Sequence, residues 1–206
     1  MTNPISIEDP EVVRDDDNYT YVYSWVANAD AVLYSDYFAD PSYGWRAYFD
    51  MDSFVDWYLI NEITHNPDAT MLYSCFMHLR RGGKITMGPV WDFDLAFGNT
   101  DYWDRGPYNF WIKKSDWIFR MFKDPAFVAR VKERYDYFYS RKYDILREID
   151  ETAVYLKRSV QENENRWGIL YDYVLPNYEV WGSYQNEVQS VKEWLNARMD
   201  WLKEQF

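Results

Sequence analysis

From Asn18 onward the apolar residues Val22, Trp25, Val26, Ala29, Val32 and Leu33 keep the three- and four-residue spacing of one helix face, which predicts a helix ending near "DYFADP". A second stripe, Phe54, Val55, Tyr58, Leu59, Glu62 and Ile63, predicts a helix capped at its start by Asp52 or Ser53. That helix stops before "HNPD", because Pro67 disfavours helical geometry at Asn66, and Asp68 therefore falls in a loop. Then the period changes to two. "LYSCFMHLR" and "KITMGPVW" flank Arg81, Gly82 and Gly83, and glycine supplies the positive φ that a tight hairpin connection needs. The hairpin is expected to deliver Asp92 to the end of its second strand. Beyond about residue 115 the pattern is helical again, with starts at Ser115, at Asp124 before Pro125, near residue 143 and at Ser183. The expected fold is mainly α with one small β-hairpin, an α+β arrangement. Residues 1–17, polar, acidic and proline-containing, read as a tether to the folded part at 18–206.

Composition narrows the partners. The 206 residues are enough for one domain with a real core, and aromatics make up 21% of them, with 11 Trp and 20 Tyr. Rings in that number suit a core of large side chains or a wall on which sugars or bases stack. With 34 acidic against 22 basic residues the formal charge is −12, which excludes a nucleic-acid backbone as partner for want of a basic footprint. No apolar run is long enough to span a membrane. The single cysteine, Cys75, forms no intrachain disulfide and reads as a small core residue. His65 and His78 lack metal-ligand spacing, so solvent or capping roles are expected of them.

The chemistry is expected in "GPVWDFDLAFG", residues 88–98, where Asp92 and Asp94 stand among Val90, Trp91, Phe93, Leu95 and Phe97. Carboxylates rarely sit in apolar surroundings unless paired, hydrogen-bonded or bound to a metal. On an extended segment the two would point to one side, and a hard divalent cation, magnesium first, would relieve their repulsion. A turn or capping role is the alternative. Hairpin pairing would bring Asp68 back toward residues 92–94 as a general base. No serine or cysteine has a nucleophile-elbow setting.

The block from Ser53 to Asn99, "SFVDWYLINEITHNPDATMLYSCFMHLRRGGKITMGPVWDFDLAFGN", resembles the core of the CotH kinase family, spore-coat-type atypical protein kinases. The similarity extends from residues 31–54 through "RMFKDPAFVARVKERY" and Arg166-Trp167 to "EVQSVKEWLNARMDWL". It implies a kinase-like carboxyl-terminal lobe, with Asp68 as the catalytic aspartate, Asp92 as the metal-binding aspartate and Asp94 as an auxiliary one. Asn61, Glu62 and Ser74 are expected to support that site. The resemblance further implies ATP and magnesium as cofactors, a protein substrate, and an extracellular, cell-surface or spore-coat setting. Two departures matter. Many family members carry asparagine five residues after the catalytic aspartate, where this chain has Tyr73, with Ser74 next. No lysine precedes Lys84 and only Gly44 precedes Gly82, so the phosphate-covering loop and nucleotide-holding lysine of an amino-terminal lobe are missing. The chain is thus expected to be the carboxyl-terminal part of a longer kinase and inactive or nearly so alone. The rival reading is a non-catalytic module that binds carbohydrate or protein. A glycosidase fits poorly, since Asp92 and Asp94 on one short strand cannot flank a sugar ring.

Overall fold

A computed structural model describes residues 5–14, 16–70, 75–101 and 104–206. Among them the helices are α1 (Asp17–Leu33), α2 (Met51–Thr64), α3 (Asp116–Met121), α4 (Pro125–Ser140), α5 (Lys142–Trp167) and α6 (Tyr184–Gln205), and the strands are β1 (Met77–Leu79) and β2 (Ile85–Met87). The mainly helical α+β expectation holds. The chain divides into two compact units. The first contains Met1–Leu59, Asp68–Trp91 and Ile112–Val131, and the second Ile60–Pro67, Asp92–Trp111 and Lys132–Phe206.

In the first unit, Asp16 caps α1 by accepting from the Tyr19 amide at 2.6 Å. The helix buries Val26, Ala29, Asp30 and Leu33, the single face that the apolar spacing predicts. α2 is capped by Asp50, not by Asp52 or Ser53: Asp50 Oδ1 accepts from the Ser53 amide at 2.9 Å, and Ser53 Oγ donates to the Asp50 carbonyl at 2.8 Å. The hairpin is antiparallel and pairs Met77 with Met87, His78 with Thr86 and Leu79 with Ile85. Gly82 at φ 76° turns the chain between the strands. β2 is further fixed by Asp50, whose amide donates to the Ile85 carbonyl at 2.9 Å, and by the Ile85 amide donating to the Tyr48 carbonyl at 2.7 Å. The core is a chain of tilted and edge-on rings. Phe49 meets Phe54 and Trp117 at centroid distances of 5.3 and 5.1 Å, and Phe127 meets Trp45 and Phe122 at 5.7 and 5.2 Å. Each such pair contributes about 0.5–1.5 kcal/mol beyond the area it buries. Two buried carboxylates serve these rings, Asp30 accepting from Trp117 Nε1 and Asp124 from Trp45 Nε1, both at 2.8 Å. Cys75 is half-buried rather than a core residue.

In the second unit, α5 packs on α6. α5 closes at Trp167, with Gly168 in the left-handed region at φ 58°. Ser183 caps α6, its Oγ accepting from the Asn186 amide at 3.2 Å. Along α6 the buried face is Leu195, Arg198, Met199 and Leu202. A charged residue thus occupies one of four core positions.

Candidate functional site

The sequence expectation for "GPVWDFDLAFG" fails in its geometry. β2 ends at Met87, five residues before Asp92, and the following backbone is not strand. Asp92 adopts φ 60°, a left-handed conformation that aspartate tolerates better than most residues, so the alternation that would align it with Asp94 does not apply. Nor is the stretch buried: Val90 is 39% and Trp91 49% exposed, and both aspartates lie in solvent. Their carboxylates need no buried partner to be tolerated.

What holds Asp92 is backbone. Asn66, itself buried, donates from Nδ2 to the Asp92 carbonyl at 3.0 Å and to Asn61 Oδ1 at 3.2 Å, while its amide donates to the Asn61 carbonyl at 3.0 Å. One asparagine side chain thereby ties the end of α2 to the strained turn at Asp92. Two residues on, the Asp94 carbonyl accepts from Asn99 Nδ2 at 2.8 Å, and the Phe97 amide donates to the Thr64 carbonyl at 2.8 Å. Gly98, at φ 78°, lies so close to the Trp194 indole nitrogen and the Arg105 carbonyl that an added Cβ would fall 2.8 and 2.7 Å from them. Only glycine leaves room for Trp194 Nε1 to donate to the Arg105 carbonyl at 2.8 Å.

Beneath this loop lies a buried ion pair. Arg198 and Glu62 are fully buried, with Arg198 donating to Glu62 Oε1 at 2.7 Å. The same guanidinium donates to the carbonyls of Glu62, Pro107 and Asn109, and Glu62 Oε1 also accepts from the Trp111 amide at 2.7 Å. Trp111 in turn donates from Nε1 to the Pro67 carbonyl at 3.2 Å. His65, expected in a solvent or capping role, is 4% exposed, and its ring packs against Trp111 and Trp194 at 5.7 and 6.1 Å. His78, in the hairpin, is exposed.

Asn61, Glu62, Asp92 and Asp94 therefore belong to one unit, and Asn66 links Asn61 to Asp92. Asp68, grouped with the first unit, is half-buried in a turn, its carbonyl accepting from the Thr70 amide at 2.8 Å. Tyr73 and Ser74 lie outside the described residues. Sequence reasoning missed Arg198 and the role of Asn66. Arg198 did leave a signal: it sits at the i+3 position of the stripe Leu195, Met199, Leu202, just as Glu62 sits inside the stripe of α2. Opposite charges at core positions of two helices announce a buried pair.

Among the described residues no group of three or more His, Cys, Asp or Glu side chains is placed to hold a metal ion. A closed cage of the zinc or calcium kind is thus not formed there.

The chain belongs to the CotH kinase family: the family model described as "CotH kinase protein" matches residues 6–202, nearly all of it. Membership carries nucleotide and metal use as general features of the class. Comparison with curated proteins and with solved structures finds no match to this chain. No helix is long and apolar enough to cross a membrane, among the residues described.

Proposed function

We propose that this chain is the carboxyl-terminal, kinase-like lobe of an ATP- and magnesium-dependent protein kinase, with Asp68 as catalytic base, Asp92 as metal ligand and Asp94 as its auxiliary. The observation that carries the reading is the Asn66 clamp. A buried amide fixes the backbone of an exposed aspartate at positive φ and ties it to the end of α2. Its effect is to fix where the Asp92 carboxylate begins, and phosphoryl transfer relies on such positioning more than on covalent help from the protein.

In this reading Asp68 takes the proton of a substrate hydroxyl as its oxygen attacks the γ-phosphorus and the bond to the β–γ bridging oxygen breaks, releasing ADP. Bound magnesium supplies charge neutralisation of the triphosphate. Asn61 and Glu62 hold the end of α2, from which Pro67 and Asp68 follow directly in sequence. The phosphate-covering loop and nucleotide-holding lysine, absent ahead of Asp68, would come from sequence beyond this chain.

Titration of magnesium and ATP into residues 1–206 and into a version extended at the amino terminus tests this. The expected result is weak binding of both by residues 1–206 and a joint gain in the extended protein. That gain should come with phosphotransfer that Asp68→Asn and Asp92→Asn each abolish. Tight ATP binding by residues 1–206 alone, or undiminished transfer in the extended Asp92→Asn protein, would overturn the reading.

A further inference from the structure

The loop that begins at Asp92 also forms one wall of a cleft of about 730 Å³ lying wholly within the second unit, in the size range of small-molecule and oligosaccharide sites. We propose that this cleft binds a neutral oligosaccharide. The segment between α5 and α6 forms another wall, and there Tyr178 and Trp181 keep 41% and 45% of their surface in solvent. Tyr178 already stacks with the Arg105 guanidinium, but the exposed Trp181 ring in the wall of a cleft is a stacking platform, and the C–H face of a pyranose is a flat apolar partner for it.

The polar lining suits hydroxyls. Asn99 spends Nδ2 on the Asp94 carbonyl and, at 3.0 Å, on Asn177 Oδ1. That leaves Asn99 Oδ1 as an acceptor and Asn177 Nδ2 as a donor, the two functions that a pair of neighbouring sugar hydroxyls can answer at once. The charge of the lining decides which sugars fit. Asp94, Asp172, Glu179 and Glu187 face a single cation, Arg105, whose guanidinium already lies over the Tyr178 ring at 3.0 Å. Uronic acids and sulfated chains are repelled by that excess, while an uncharged hexose chain is not. A basic peptide would answer the charge, but Glu187 already accepts from the Trp181 amide at 3.0 Å, and apart from Asp94, Asp172 and Glu179 the walls are largely aliphatic, aromatic and amide.

Calorimetric titration of residues 1–206 with cellohexaose, mannohexaose and xylohexaose tests the proposal, beside a hexamer of glucuronate and an arginine- and lysine-rich hexapeptide. At least one neutral hexasaccharide should bind, the glucuronate should not, and Trp181→Ala should weaken binding about tenfold or more. Trp181 is 45% exposed, so circular dichroism of the variant should match the parent. Absence of binding by all three neutral sugars at millimolar concentration, binding of the peptide alone, or binding by Trp181→Ala equal to the parent's would overturn it. The measurement uses no nucleotide, so its failure leaves the phosphoryl-transfer reading standing.

Discussion

In the first unit the buried carboxylates, Asp30 and Asp124, each receive an indole N–H inside a core of edge-on rings. In the second, the buried Asn61, Glu62, Asn66 and Arg198 are hydrogen-bonded to one another and to backbone carbonyls and amides, while His65 packs between Trp111 and Trp194. Ring packing is forgiving, because dispersion and burial depend on volume more than on direction. A buried polar network is not, because each group left without its partner bears the full cost of desolvation. The second unit thus puts much of its directional bonding around the loop that carries Asp92.

The largest expected effect lies in the ion pair. Arg198→Ala or Arg198→Met leaves Glu62 charged in a fully buried site and should cost about 3–5 kcal/mol in urea unfolding. The double variant Glu62→Gln with Arg198→Met should cost much less than the two single changes added together, since it removes both charges. A swap of similar volume in the first unit, Met121→Leu, should cost less than about 1.5 kcal/mol although Met121 is fully buried. Equal costs for Met121→Leu and Arg198→Met would erase the contrast between the units.

A smaller effect is expected in acid. Asp200 is held below its ordinary value of 3.8, chiefly by the hydrogen bond from Lys142 Nζ and further by that from Tyr139, with burial opposing. A depressed carboxylate contributes stability that is fully present above its unfolded value and is lost as pH falls through the folded one. The melting temperature of Lys142→Met should therefore lie below that of the parent at neutral pH, and the two should converge as pH drops below about 4. Asp200 is half exposed, so the difference should be modest. A gap that widened in acid would contradict the assignment.

How far the sequence revealed all this differs between the same two regions. α1, the starts of α4 and α6, and the Gly82 turn were legible because each depends on residues within a few positions of one another: Asp16 with Tyr19, Ser183 with Asn186, Asp124 with Ala126. Asp50 was overlooked as the cap of α2 because Asp52 and Ser53 offer the same chemistry one turn too late. The network was harder. Arg198 and Glu62 are separated by 136 positions, and Asn66 and Asp92 by 26, distances over which no spacing rule operates. The exposure of Trp91 and the left-handed turn at Asp92 likewise cannot be read from the apolar character of the stretch.

The most direct measurement is of manganese, as a paramagnetic stand-in for magnesium, bound by the extended protein in the presence of ATP and followed by electron paramagnetic resonance with and without Asn66→Ala. Loss of one buried hydrogen-bonding side chain should lower stability by about 1–3 kcal/mol and leave unfolding cooperative. If Asn66 sets the position of Asp92, manganese affinity should fall about tenfold or more in the folded variant. Unchanged manganese affinity in folded Asn66→Ala would show that the clamp serves the fold alone and that Asp92 is not held for a metal.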